Sequence, residues 1–404
     1  MPAHARRQPA YQAEAALEEL TVAEVRTTAE FEALAPEWRV LLSESDVDCL
    51  FLTWEWLYTW WKILAGSRRL RILAIRRGGT LIGIAPFAMR AAEPGRLLPF
   101  RAIEFLGVGA AGSDYLDLIL RKGEEDMACA AIARHVITWN LMLDMRRIAR
   151  GSANAERLVK ALVAKGWSST SNVDDICLYV PLSASSWEQY FAGLSREFRR
   201  SLRRGRRNAE SVFAVSYVSV FRKAERSAAL RTFINLHDKR WGGGRGSQAL
   251  PDDSILQFHE RWSRIALERG WLRLSILRFD GKPVAGTYGF SYGGKLYFYL
   301  SGFDPSFASY GVGRICLEED LQKAFSEGLQ EYDFLHGAEK YKFHWASDSR
   351  ALGRYRLFPP GMRGNAFKWI MGVREGVKVL LGKGLSPGRS DEAPATGREL
   401  QGEQ

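Results

Sequence analysis

Apolar positions along this chain switch between two periods. A repeat near 3.6 residues predicts helices over Ala29–Leu42, Leu52–Leu64, Glu124–Asn140 and Asn154–Lys165. The same repeat returns over Ser186–Glu210, Ala224–Trp241, Ser254–Arg269 and Arg314–Gly328. Short apolar runs bounded by turn residues predict strands near 70–76, 81–89, 102–107 and 115–120, and over Leu141–Ile148 and Cys177–Val180. Five more strands are predicted at Val212–Val220, Leu272–Phe279, Pro283–Tyr292, Lys295–Gly302 and Gln330–Leu335. Mostly antiparallel strands with helices inserted between them make the expected class α+β.

The pattern repeats. Leu70-Arg71-Ile72-Leu73-Ala74-Ile75-Arg76-Arg77-Gly78-Gly79 reads like Leu272-Arg273-Leu274-Ser275-Ile276-Leu277-Arg278-Phe279-Asp280-Gly281. Each is a strand ending in a glycine turn, and each continues into a second strand, the arrangement of a β-hairpin. Trp60 and Trp262 stand at the same offset in the preceding helices. A helix, hairpin and turn in one register, displaced by half the chain, indicate duplication.

Composition narrows the class. A chain of 404 residues suits two domains of about 150–200 residues. No apolar run approaches the roughly 20 residues that cross a bilayer, and the N-terminus lacks a signal-peptide pattern, so a cytoplasmic location is expected. Cys49, Cys129, Cys177 and Cys316 are scattered singly, which indicates neither a disulfide framework nor a metal site. The net charge of +11 points to an anionic partner without choosing one. Arg196, Arg199, Arg200, Arg203, Arg204, Arg206 and Arg207 crowd one segment. It reads as a solvated helix face, as a seat for an acidic acceptor, or, third, as a nucleic-acid contact that lacks interleaved stacking aromatics. Asn365–Leu381 mixes basic and apolar residues, as a terminal helix docked on the core or a peripheral membrane contact would.

The chemistry concentrates after Gly293-Gly294. An aromatic-rich strand, Lys295 to Phe303, leads through Asp304-Pro305-Ser306-Phe307-Ala308-Ser309-Tyr310-Gly311-Val312-Gly313 into a helix at Arg314. Such a loop presents unpaired N–H groups and the positive end of a helix dipole to an anion, and a pyrophosphate fits there.

This strand, loop and helix, with the following Glu331-Tyr332-Asp333-Phe334-Leu335-His336-Gly337, resemble the acyl-CoA half of a GNAT acetyltransferase. More closely, Leu-x-Phe-Tyr-Leu-Ser-Gly-Phe-Asp-Pro, Tyr-Gly-x-Gly and Asp-Phe-Leu-His-Gly-Ala-Glu-Lys-Tyr-Lys-Phe-His-Trp resemble the CelD/BcsL-type branch, associated with cellulose and exopolysaccharide synthesis and related to Fem-type transferases. Leu236-His237-Asp238-Lys239-Arg240-Trp241 fits the same pattern. The family loop places Gln or Arg three residues before its first Gly, where this chain has Ala308, leaving phosphate contacts to backbone N–H groups. The resemblance implies tandem GNAT folds: a loose tail over 1–20, a degenerate copy without cofactor over 21–180, and a copy with the acyl-CoA site over 181–364. A basic amphipathic helix over 365–385 and a disordered tail over 386–404 complete the expected organisation.

The resemblance also implies two neighbouring strands that splay apart around the pantetheine arm, with Tyr299, Leu300, Ser301, Tyr310, Gly311, Val312, Gly313 and Arg314 at the cofactor. Backbone N–H groups over 297–301 would then serve as oxyanion donors. Acyl transfer also needs a base for the nucleophile and an acid for the thiolate. Tyr341 is the candidate acid, or a loop anchor; Glu339 is the candidate base, or a surface partner of Lys342. His336 and His237 are further possible bases, and Lys342 a holder of an anionic acceptor or the oxyanion. The expected activity is N- or O-acyl transfer from acetyl-CoA or another acyl-CoA to an amino sugar, polysaccharide precursor or small metabolite, by a monomer. A Fem-like transferase using aminoacyl-tRNA and a catalytically inactive GNAT-like binding protein are the alternatives.

Overall fold

The computed structural model describes residues 20–91, 101–182, 186–241, 250 and 252–383. The tails expected over 1–20 (apart from Leu20) and 386–404 lie outside the described residues. In chain order, β1 (Leu20–Val25), α1 (Thr28–Ala33), α2 (Ala35–Ser43) and α3 (Trp54–Leu64) come first. β2 (Arg69–Leu70), β3 (Ile72–Arg77), β4 (Thr80–Ala85), β5 (Phe87–Arg90), β6 (Ala102–Phe105) and β7 (Ile119–Leu120) follow. α4 (Glu125–Trp139), β8 (Met142–Ala149), α5 (Ala153–Val163) and β9 (Ser168–Pro181) end the first half. The second half runs α6 (Trp187–Gly193), α7 (Arg196–Glu210), β10 (Val215–Ser219), α8 (Lys223–Trp241) and α9 (Asp253–Glu268). It continues through β11 (Leu272–Phe279), β12 (Lys282–Tyr292), β13 (Lys295–Phe303), α10 (Val312–Ser326), β14 (Glu331–His336), β15 (Asp348–Phe358) and α11 (Met362–Lys383).

The fold is α+β, and the two halves repeat each other in detail. Hairpin β3–β4 carries a register shift between Ile75 and Arg76, and hairpin β11–β12 carries one between Leu277 and Arg278, the same place in the repeat. Trp56 of α3 packs edge-on against Trp262 of α9, so the two repeated helices meet in the core. Each half has one parallel pair, β6 with β8 and β13 with β14. The strand after each pairing carries a non-glycine residue at positive φ, Arg147 at 61° and Leu335 at 56°. Where β12 is continuous, the first half is broken at Pro86, which lacks an N–H for the ladder. β4 therefore stays in a four-stranded sheet, β1-β3-β4-β7, while β5 joins the larger one.

That larger sheet has eleven strands in the order β10-β11-β12-β13-β14-β9-β15-β8-β6-β5-β2. The last strands of the halves are exchanged. β9 pairs with β14 of the second half, and β15 pairs with β8 of the first. β9 and β15 lie antiparallel side by side at the centre, about which the two halves are pseudo-symmetric. A cut after residue 180 would thus pass through the sheet.

Several elements differ from the sequence expectation. β9 begins at Ser168 rather than Cys177, because its polar first part pairs with β15 while its side chains face solvent. Residues 115–120 hold only the short β7. The helix expected over Ser186–Glu210 is two: Leu194 is extended, and Ser195 caps α7 by accepting from the Phe198 N–H. α10 begins at Val312, two residues earlier than expected. No helix among the described residues is long and apolar enough to cross a membrane.

Candidate active site

β13 and β14 run parallel only from Lys295↔Glu331 to Tyr297↔Asp333, and then separate. Just past that point β13 bulges: Tyr288 of β12 faces Leu300 and Gly289 faces Phe298, leaving Tyr299 unpaired on that side. A bulge bends and twists its strand, and here it turns β13 away from β14. The gap opens into a cleft of about 210 Å³. Phe298, Ser301, Gly302 and Phe303 line it from β13, Gly311, Val312, Gly313 and Arg314 from the start of α10, and Tyr341 and Trp345 from the loop after β14.

The floor of the cleft is a capped turn leading into the start of α10. Asp304 caps the turn Pro305–Tyr310, accepting from the Ser306 N–H, and Lys239 of α8 pins it at 2.7 Å. The bond from Lys239 holds the Asp304 carboxyl down at about 2. Gly311 then turns the chain at φ 70°, a conformation that glycine adopts without strain. α10 starts with no side-chain cap, so its first N–H groups and dipole face the cleft. The Arg314 guanidinium lies over Gly311 and donates to Ser201 of α7 at 2.8 Å. Partial burial, and then the positive charge of Arg204, loosen the Arg314 proton. A guanidinium tied down at a helix N-terminus, with a second positive charge in reach, is chemically suited to a phosphate.

α7 forms one wall because of its pattern. Phe198, Leu202 and Ala209 are buried on one stripe. Gly205 on the same stripe lies so close to the Tyr310 carbonyl that a Cβ would come within 2.8 Å of it. Arg206 bridges to Glu318 and Glu319 of α10. Arg196, Arg200, Arg203, Arg204 and Arg207 stay exposed.

The structure separates the sequence candidates. Ser301, Gly311, Val312, Gly313 and Arg314 line the cleft. Tyr310 turns its ring to Phe213 and Phe279, while Tyr299 and Leu300 pack toward the main core. Tyr341 lies in the cleft, and burial pushes its phenol up to about 12 against the pull of Arg240. It therefore stays protonated at neutral pH. His237 is buried, with Nδ1 2.9 Å from the Ser301 carbonyl oxygen, and burial lowers its pKa. Lys342 is buried too, and its ammonium meets the carbonyls of His336 and Gly337 and the Glu339 carboxylate. These contacts brace the loop and engage the Lys342 ammonium within it. Glu339 is exposed and paired to Lys342.

His336 stands apart from these groups. Its Nδ1 is 2.8 Å from Oδ2 of Asp114, a fully buried carboxylate of the first half. Two residues missed from sequence matter here. Arg240 is three residues beyond His237 on α8; it donates to Ser301 Oγ at 2.7 Å and faces the rings of Trp241, Phe303 and Tyr341. Asp114 follows the Gly107–Gly112 loop. Its only signal was a carboxylate two residues after that loop, one of two in Asp114-Tyr115-Leu116-Asp117-Leu118-Ile119-Leu120. Among the described residues, no cluster of His, Cys, Asp or Glu could hold a metal ion.

Residues 196–343 match the family model described as Acetyltransferase (GNAT) domain. That segment runs from the start of α7 through the cleft to the loop bearing Tyr341, so the matched segment contains the cleft. The chain is also similar in fold to FemX, with TM-score 0.54 at 12% identity over 83% of this chain and 96% of that one. A conserved protein of unknown function from Bacteroides thetaiotaomicron VPI-5482 gives 0.51 at 12% identity, over 84% and 99%. At such identities the likeness is one of fold. No curated protein matches the sequence.

Proposed function

We propose that this protein is an acyltransferase that takes its acyl group from acetyl-CoA or a related acyl-CoA. It hands the group directly to an amine or hydroxyl of an amino sugar, a polysaccharide precursor or another small acceptor. The observation that carries this reading is the junction of two features: strands that part after Tyr297 and Asp333, and the uncapped α10 N-terminus onto which the gap opens. Residues of this chain fit the co-substrate. The N–H groups of Val312 and Gly313, with Arg314 and Arg204, would hold the pyrophosphate, and the parted edge of β13 offers backbone groups to an amide-bearing arm. When bound, acyl-CoA supplies an activated thioester carbonyl. Tyr341, protonated and in the cleft, is placed to give a proton to the leaving sulfur. The likeness of the 295–345 segment to the CelD/BcsL branch supports a saccharide acceptor, and the exposed Trp241 ring against the half-buried, cleft-lining Arg240 suits one.

Calorimetry with acetyl-CoA tests the reading. Wild type should bind, and Gly313→Glu should not, because a carboxylate would stand where phosphate must lie. Gly313 has normal φ and meets only the Phe303 ring, so the fold should survive. Equal affinity in the two proteins refutes the site. The exposed arginines of α7 favour a second reading, in which a tRNA-borne acyl group is used. A steep fall of tRNA affinity with salt is expected of any such electrostatic contact, so that reading requires tight binding that persists near physiological salt.

A further inference from the structure

Resting on the transferase reading, we propose that the acceptor site is composite: His336 is its general base, and Asp114, supplied by the first half of the chain, is the residue that positions it. Loop 107–114, which follows the parallel strand β6, does not open a helix of its own. It lies instead against the second half. Tyr299, the bulged residue of β13, donates its hydroxyl to the Ala111 carbonyl. Gly112, at φ 57°, faces the His336 ring, and a Cβ there would stand 3.5 Å from Cε1 and 3.8 Å from the Tyr299 hydroxyl. A larger residue would fill the space in front of the imidazole.

His336 is aimed at that space by the backbone. The register between β14 and β9 shifts between Asp333 and His336. Leu335 adopts φ 56°, and Asp333 Oδ1 accepts its N–H at 2.7 Å. Non-glycine residues held in the left-handed region cluster at functional sites. Asp114 Oδ2 accepts both the His336 backbone N–H at 3.0 Å and ring Nδ1–H at 2.8 Å. The carboxylate thus fixes ring and backbone together. A carboxylate on Nδ1 selects the tautomer with its proton there and leaves the Nε2 lone pair for an incoming proton. The His336 side chain is 32% exposed while Asp114 is 0% exposed, so the base is reachable and its orienting group is dry.

Other polar groups surround the pair. Arg147 of β8 approaches Asp114 Oδ1 at 3.7 Å, and Cys177 of β9 lies 3.8 Å from Oδ2. Asp175 accepts the Gly337 N–H, and Lys342 Nζ donates to the His336 carbonyl. The step balances without a further reagent. The acceptor N–H or O–H gives its proton to Nε2 as its lone pair attacks the thioester carbonyl carbon. The C–S bond then breaks with its electron pair on sulfur, which takes a proton from Tyr341; Nε2 gives its proton to water, and water reprotonates Tyr341.

The acceptor need not be known to test this. Diethylpyrocarbonate modifies unprotonated imidazole nitrogen, and peptide mass spectrometry reads the rate at His336 alone. In wild type, saturating acetyl-CoA should slow modification of His336, and Asp114→Asn should slow it by roughly 10-fold or more without ligand. Circular dichroism checks that the variant is folded; if it is not, the acetyl-CoA protection of wild type decides. An unchanged rate in folded Asp114→Asn overturns the positioning role. Binding of acetyl-CoA by calorimetry without protection of His336 overturns its place at the site. Absence of acetyl-CoA binding refutes the transferase reading instead, and the Asp114→Asn rate still judges the pair.

Discussion

Gly302 lies where β13 passes against α8, and the contact is backbone to backbone. An alanine Cβ there would stand 2.4 Å from the His237 nitrogen, and 2.6 Å from both its Cα and the Leu236 carbonyl carbon. Carbon atoms rest at about 3.5–4.0 Å, so α8 must retreat by roughly 1 Å, because main-chain atoms cannot swing aside as the tip of a side chain can. Retreat stretches two bonds that tie α8 to β13: His237 Nδ1 to the Ser301 carbonyl at 2.9 Å, and Arg240 to Ser301 Oγ at 2.7 Å. Overpacking alone costs about 1–3 kcal/mol. A buried neutral hydrogen bond adds about 1 kcal/mol and one to a charged group about 1.5–3 kcal/mol. Taking the lower ends, Gly302→Ala should destabilise by about 3.5 kcal/mol. Urea unfolding at pH 7 measures this. Gly313→Ala, whose Cβ would meet only the Phe303 ring at 3.4 Å, is the control and should cost far less. A loss within about 0.5 kcal/mol of wild type at Gly302, the range of ordinary surface changes, would refute the close approach and with it the rigid seat for Ser301 and Arg240.

Two further outcomes are expected. Tyr341→Phe should lower turnover by about 10²-fold while acetyl-CoA affinity barely moves, since only a proton donor is removed; steady-state kinetics beside calorimetry separate the two, and unchanged turnover excludes Tyr341 as the acid. Burial raises the Asp320 carboxyl to about 6 from 3.8, although Tyr332 and Tyr217 donate to it. A raised carboxyl pKa means that stability falls as pH rises from the unfolded value to the folded one, and is level above. Asp320→Asn should therefore stabilise the protein by about 1–3 kcal/mol at pH 7 and by nothing measurable near pH 3.5. Equal melting shifts at both pH values would count against this.

Much of the local structure was legible because it is written in short-range patterns. The repeated hairpins, the helices bearing Trp60 and Trp262, and the glycine loop ahead of α10 all follow from period, turn residues and spacing within a few tens of residues. What depends on pairing across the chain was not. β15 and the first part of β9 carry too little apolar alternation to stand out, and only their mutual register makes them strands. The exchange of β9 and β15 between halves leaves no local trace, because either partner would satisfy the same N–H and C=O groups. For Glu339 the sequence left two roles open, a base or a partner of Lys342, and in the folded loop the two are paired. Asp114 and His336, 222 residues apart, became one unit for the same reason. A sequence states which groups need partners; which distant partner each one finds is decided when the sheet closes and the buried carboxylate must be satisfied inside it.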